Sequence, residues 1–81
     1  MTKNIHVRYY ASIREERGLA EETITTSAET ALDLFEELRS KHHLTLPVNL
    51  LKVAINNQFR EWNTELNSGD DLVFIPPVAG G

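Results

Sequence analysis

Asp70-Asp71-Leu72-Val73-Phe74-Ile75-Pro76-Pro77 is the stretch that decides how this chain folds. Four apolar residues in a row, closed by two prolines, read as a short strand that is apolar on both faces. A strand exposed on one side would alternate with polar residues instead. It therefore belongs in the middle of a sheet, or has one face covered by a partner. Asn67-Ser68-Gly69-Asp70 ahead of it has the composition of a turn.

Working outward, Ile5, Val7 and Tyr9 alternate with His6, Arg8 and Tyr10, the period of a strand. Ser12-Ile13-Arg14-Glu15 has the capping-box spacing, and Gly18 is placed to stop a very short helix. Glu22 to Thr25 reads as a second strand, joined to the first as a hairpin with an elaborated loop. Thr26-Ser27-Ala28-Glu29 predicts a capping box with Thr26 as N-cap of the main helix. Ala31, Leu34, Phe35 and Leu38 form that helix's apolar face. Its acids lie early, and Arg39, Lys41, His42 and His43 lie late, as the helix dipole favours. Leu51 to Ile55 predicts a third strand, Asn56-Asn57 a turn, and Phe59 to Trp62 a short edge strand. The order strand, strand, helix, strand, strand, strand implies an α+β domain, a mixed sheet of about five strands on one main helix. Setting the first and last strands side by side in parallel buries the final apolar run. That arrangement is the β-grasp, or ubiquitin-like, fold. A ferredoxin-like sandwich needs a second sizeable helix, which Ser12 to Gly18 is too short to supply. The expected organisation is a domain over residues 1–76 and a flexible diglycine tail over residues 77–81.

Composition narrows the function. At 81 residues with 41% hydrophobic content, the chain holds one modest core. Twelve acids against eight Lys and Arg give a formal charge of −4. That balance disfavours nucleic acid and anionic membranes, and fits a partner with a basic docking face. No apolar run spans a bilayer and no signal-peptide pattern precedes Ile5, so the expected setting is cytoplasmic. There is no cysteine, which excludes disulfides and thiolate metal sites. His42 and His43 are adjacent and diverge on a helix, so no metal site is expected. Glu15, Glu16, Glu21 and Glu22 form an acidic cluster, read as a solvated loop. Catalytic dyads and phosphate-binding glycine motifs are absent.

The tail carries the chemistry. In Pro77-Val78-Ala79-Gly80-Gly81, consecutive glycines let the backbone thread a narrow site where any Cβ would clash. ATP can reach a glycine carboxylate with little obstruction, giving an acyl-adenylate that a nucleophile displaces. Extended, these five residues reach roughly 15 Å, at about 3.3 Å each. Pro76 and Pro77 hold the tail's base in an extended form, lowering the entropy lost on insertion.

Tyr10-Ala11-Ser12-Ile13-Arg14-Glu15, Val53-Ala54-Ile55-Asn56 and, above all, Leu66 to Gly81 resemble the molybdopterin synthase small-subunit family of ubiquitin-like sulfur carriers. The resemblance spans essentially the whole chain. It implies that a ubiquitin-activating-type adenylyltransferase spends ATP on the Gly81 carboxylate, and that a sulfur donor then converts the adenylate to a thiocarboxylate. It further implies docking on a large synthase subunit, with the tail in that subunit's active site and sulfur passing to cyclic pyranopterin monophosphate. Nucleotide would thus be handled at Gly81 by the activating partner, with no cofactor bound to this chain. The assembly implied is a heterotetramer, two small subunits at opposite ends of a large-subunit dimer. Docking residues carried over are Tyr10, Arg14, Phe59, Ile75 and Pro76, with Pro77 to Gly81 inserted. Position 10 is often Phe in the family, so Tyr10 adds a hydroxyl to the interface. From the residues alone, Phe59 could instead cover the sheet edge with Trp62, and Arg14 could pair with Glu15 or Glu16. Carriers for thiazole synthesis or tRNA thiolation, and small protein modifiers, share the diglycine but usually lack Phe-x-Pro-Pro-Val. A non-catalytic binding module is the alternative of a different class.

Overall fold

The computed structural model describes residues 1–77. The elements run β1 (Lys3–Tyr9), α1 (Ala11–Arg17), β2 (Glu21–Thr26) and α2 (Ala31–His42). A 3-10 turn (Val48–Leu50), β3 (Lys52–Ile55), β4 (Gln58–Arg60) and β5 (Asp71–Ile75) follow. The sheet order is β2-β1-β5-β3-β4. β5 lies in the centre, parallel to β1 and antiparallel to β3, as its all-apolar sequence requires. This is the β-grasp arrangement. No helix among the described residues is long and apolar enough to cross a membrane.

Alternation sorts the sheet into two faces. Ile5, Val7, Tyr9, Leu72, Phe74, Val53 and Ile55 point inward and pack against Ala31, Leu34, Phe35 and Leu38 of α2. Trp62 lies over Phe74, with ring centroids 5.9 Å apart and planes 13° apart, and meets Phe35 at 5.6 Å. Trp62 therefore packs against the core, and it also borders one cleft with Phe59.

Both predicted capping boxes are displaced. α1 starts at Ala11, with Tyr10 as N-cap and no side-chain cap, so Ser12 lies within the helix. The predicted stop holds: Gly18 takes φ 84° and its N–H donates to the Arg14 carbonyl. α2 is capped by Thr30, whose hydroxyl accepts from the Asp33 N–H. Tertiary contacts set that start, because the N–H groups of Ala31 and Leu32 donate to the carbonyls of Thr64 and Trp62. These bonds satisfy donors that a helix start otherwise leaves open. Thr26 instead ends β2, its hydroxyl accepting from the Ala28 N–H and donating to Glu37.

Asn56 and Asn57 both have positive φ, 54° and 69°, as a two-residue hairpin loop demands. Asn56 also ties this loop to the turn before β5. Its Nδ2 donates to Asp70 Oδ1 at 3.0 Å, and its Oδ1 accepts from the Asp71 N–H at 3.0 Å. The return strand β4 spans only Gln58–Arg60, shorter than the predicted Phe59 to Trp62, and it is an edge strand as expected.

Candidate docking face and tail base

Residues facing away from α2 form the second face of the sheet. Register places Phe59 of β4 opposite Ala54 of β3, Ala54 opposite Val73 of β5, and Val73 opposite Arg8 of β1. An apolar row thus crosses three strands and ends at a charge. Lys52 and Ile75 pair in the next row. Phe59 is 69% exposed, a large apolar side chain that the fold leaves in water.

Phe59, Ile75, Pro76 and Pro77 line one groove of about 500 Å³ together with Leu50 and Lys52. Of the docking residues read from the sequence, these four are brought together. Pro76 is buried and Pro77 exposed, so the last two described residues pass from the interior to the surface at the groove itself. Tyr10 is 49% exposed and follows Tyr9, whose register partner Phe74 precedes Ile75. It stands at the end of the same face without lining the groove. Arg14 lies elsewhere, in a cleft of about 430 Å³ with Ala11, Glu15, Gly18, Leu19 and Ala20. Among the described residues it joins neither Glu15 nor Glu16 in an ion pair. The tail residues Val78, Ala79, Gly80 and Gly81 lie outside the described residues.

Leu50 and Lys52 were not singled out from the sequence. The outward face of the last strand was legible, since Val73 and Ile75 sit at polar-expected positions of an apolar run. Leu50 depends on the 3-10 turn that Pro47 opens, which no periodicity announces.

The acidic cluster falls on α1 and β2 instead of a loop. Glu15, Glu16 and Glu21 are exposed, and three of the four acids, all but Glu15, bond to other parts of the fold. Glu22 takes both ends of Arg17, Nε at 2.7 Å and Nη2 at 2.8 Å, and accepts the Tyr9 hydroxyl at 2.6 Å. Glu16 accepts from both the N–H and the hydroxyl of Thr45. Glu21 pairs with His6 at 3.0 Å on the outer face, beside the Arg8–Asp71 pair at 3.0 Å. Burial, then the bond to Glu22, pushes the Tyr9 phenol well above its ordinary range. Thr45 holds the Glu16 carboxyl below its usual value through its hydroxyl and then its N–H. At the end of α2, burial and then the Arg17 guanidinium keep the His42 imidazole below its ordinary value, against the pull of Glu22. These bonds clasp α1 to the sheet and to the loop after α2. They thereby fix the helix that carries Arg14 and the Tyr10 that begins it.

The described residues give this face a hydrophobic surface and a few charges, with the last of them, Pro77, in the groove. The sequence pattern of the ThiS family matches residues 7–81. The human molybdopterin synthase sulfur carrier subunit is 32% identical over 82 residues, covering 95% of this chain and 93% of that protein. A Helicobacter pylori structure, a complex of subunits 1 and 2 of molybdopterin-converting factor, contains a chain 28% identical. It superposes with a TM-score of 0.65 and covers 100% of both chains. Caldiarchaeum subterraneum ubiquitin, 13% identical over 100% of both chains, shares the fold with a TM-score of 0.66.

Proposed function

The chain belongs to the ThiS family, and on that premise we propose that it is the sulfur carrier subunit of a molybdopterin synthase. Its relatives of that name match it over nearly their whole length. The observation that carries the reading is the groove of Phe59, Ile75, Pro76 and Pro77, an apolar surface that holds the last described residue, directly before Val78 in the sequence. A large subunit that covers this groove receives the tail in a fixed position. Contact areas of this sort, apolar at the centre and charged at the rim, characterise specific protein interfaces.

The chemistry of the proposal runs through Gly81. An adenylyltransferase joins the Gly81 carboxylate to AMP from ATP, releasing pyrophosphate. A sulfur donor displaces AMP, leaving a thiocarboxylate. Docked on the large subunit, the terminus gives its sulfur to cyclic pyranopterin monophosphate, and two such transfers build the dithiolene. The thiocarboxylate is ionised at neutral pH and nucleophilic, which accounts for a sulfur carrier with no cysteine. Acid–base groups and the pterin pocket belong to the partner. This chain acts as cosubstrate and docking subunit in the cytoplasm.

Intact mass after incubation with ATP, the activating enzyme and a sulfur donor tests the reading. The expected result is a gain equal to exchange of one oxygen for sulfur, lost when Gly81 is deleted, followed by pterin conversion once the large subunit is added. No gain, with an activating enzyme that charges another carrier, refutes it. Adding one residue after Gly81 separates the classes: a carrier loses activity, and a binding module keeps it.

A further inference from the structure

The docking groove contains one charged residue. Of the six side chains that line it, Leu50, Phe59, Ile75, Pro76 and Pro77 are apolar, and the sixth is Lys52. Lys52 sits on β3, one strand in from the edge, opposite Ile75 in register. Other polar groups of this face already have partners, Arg8 in Asp71 and His6 in Glu21. Among the described residues Lys52 takes part in no ion pair and no side-chain hydrogen bond.

A partner that covers this groove must deal with that ammonium. Burying it without a counter-charge is costly. Its four-carbon stem could carry the charge toward the more polar cleft that Lys52 shares with Arg60, Glu61, Asn63 and Thr64. A partner seated in the groove itself, however, meets the ammonium among apolar side chains only. The sign also matters. The chain as a whole is acidic, at −4, and attracts basic surfaces at long range. A basic residue set against Lys52 would then meet a like charge in a water-poor contact, which is strongly disfavoured.

We propose that Lys52 is the residue by which this carrier selects its large subunit. The surface that covers the groove is an apolar patch bearing one carboxylate opposite the Lys52 ammonium, and large subunits lacking that carboxylate are rejected. The pair works by attraction to the right partner and by an unpaired desolvated charge against the wrong one. The inference rests on the carrier reading, in which a large subunit covers this face.

Affinity of the full chain for its large subunit, measured by calorimetry for wild type, Lys52→Met and Lys52→Glu, tests it. The side chain is exposed, so the thermal midpoints of all three should coincide and binding changes report the interface. Lys52→Met is expected to bind about 30-fold or more weakly, the lower end for truncating one member of a desolvated charge pair. Lys52→Glu should bind more weakly still. Changing the facing carboxylate of the large subunit to lysine should restore the Lys52→Glu variant. Equal or tighter binding by Lys52→Met overturns the inference while leaving the carrier reading intact. Failure of the wild type to bind any large subunit overturns both.

Discussion

Replacing Glu22 by glutamine removes one charge from the clasp on α1 and leaves its shape. In the native protein the carboxylate accepts the Tyr9 hydroxyl at 2.6 Å and two Arg17 donors at 2.7 and 2.8 Å. Tyr9 is fully buried, and the Arg17 and Glu22 side chains keep only 17% and 20% of their exposure. Solvent therefore screens the pair only in part. Hydrogen bonds to a charged group contribute about 1.5–3 kcal/mol and neutral ones about 1 kcal/mol, so the Tyr9 bond weakens by about 1 kcal/mol. Losing the two-pronged ion pair adds about 1–2 kcal/mol at this degree of burial. Glu22→Gln should thus cost about 2–3 kcal/mol, or about 10–20 °C in thermal midpoint for a domain of this size. Urea unfolding followed by the fluorescence of Trp62, the sole tryptophan, reads it directly. In a Tyr9→Phe background the same change should cost about 1 kcal/mol less, because the two groups are coupled.

The clasp also predicts a pH dependence. Burial raises the Glu22 carboxyl, but the hydrogen bonds of Arg17 and Tyr9 and the Arg17 charge outweigh it, so its folded pKa lies below the ordinary value. A group depressed in this way stabilises the fold above its unfolded pKa, and the contribution disappears as pH falls through the folded pKa. The gap between wild type and Glu22→Gln should be full at neutral pH and close progressively below about pH 4. A loss under about 0.5 kcal/mol at neutral pH, within the range of an ordinary surface change, would refute the clasp.

Two further outcomes follow from the geometry. Phe59→Asp should change stability by no more than about 0.5 kcal/mol, as the side chain is already in water. It should sharply weaken binding to the large subunit while leaving fluorescence-detected unfolding unaltered. Asn56→Ala removes both side-chain links between the β3–β4 loop and the turn before β5, keeps the backbone bond from the residue 56 N–H to the Asp71 carbonyl, and leaves the buried Asp70 with one fewer donor. A loss of about 2 kcal/mol or more in urea unfolding is expected, and an unaltered midpoint would show that the two loops hold their positions without the Asn56 side chain.

What was legible in the sequence depended on local pattern. The apolar run Leu72 to Ile75 placed β5 centrally, alternation placed β1, and the Asn56-Asn57 pair placed the hairpin loop. Phe59 on an edge strand could be read as exposed for the same reason. Helix starts were not legible, because two threonines compete for the main cap. Thr26 has the better local motif, but Thr30 wins since Thr64 and Trp62 come from more than thirty positions later to satisfy the open N–H groups. The acidic cluster misled in a similar way. Nothing near Glu16 in sequence announces Thr45, and nothing near Glu22 shows that the Tyr9 hydroxyl points toward it. Lys52 escaped notice because its meaning comes from the apolar neighbours that the fold assembles around it.

The parallel pairing of β1 with β5 has a consequence for when the carrier becomes readable. His6 meets Asp71 and Tyr9 meets Phe74, contacts that close a loop of nearly the whole domain. Such distant pairings are slow to form and come only after much entropy has been given up. Tyr10 comes from one end of that loop, and Phe59 and Ile75 from the other, so they share a face only once β5 has been inserted. A half-folded chain has its tail attached and its face missing. An enzyme that recognises the face before acting on the tail would therefore pass over immature chains, and the topology itself would serve as a proofreading step.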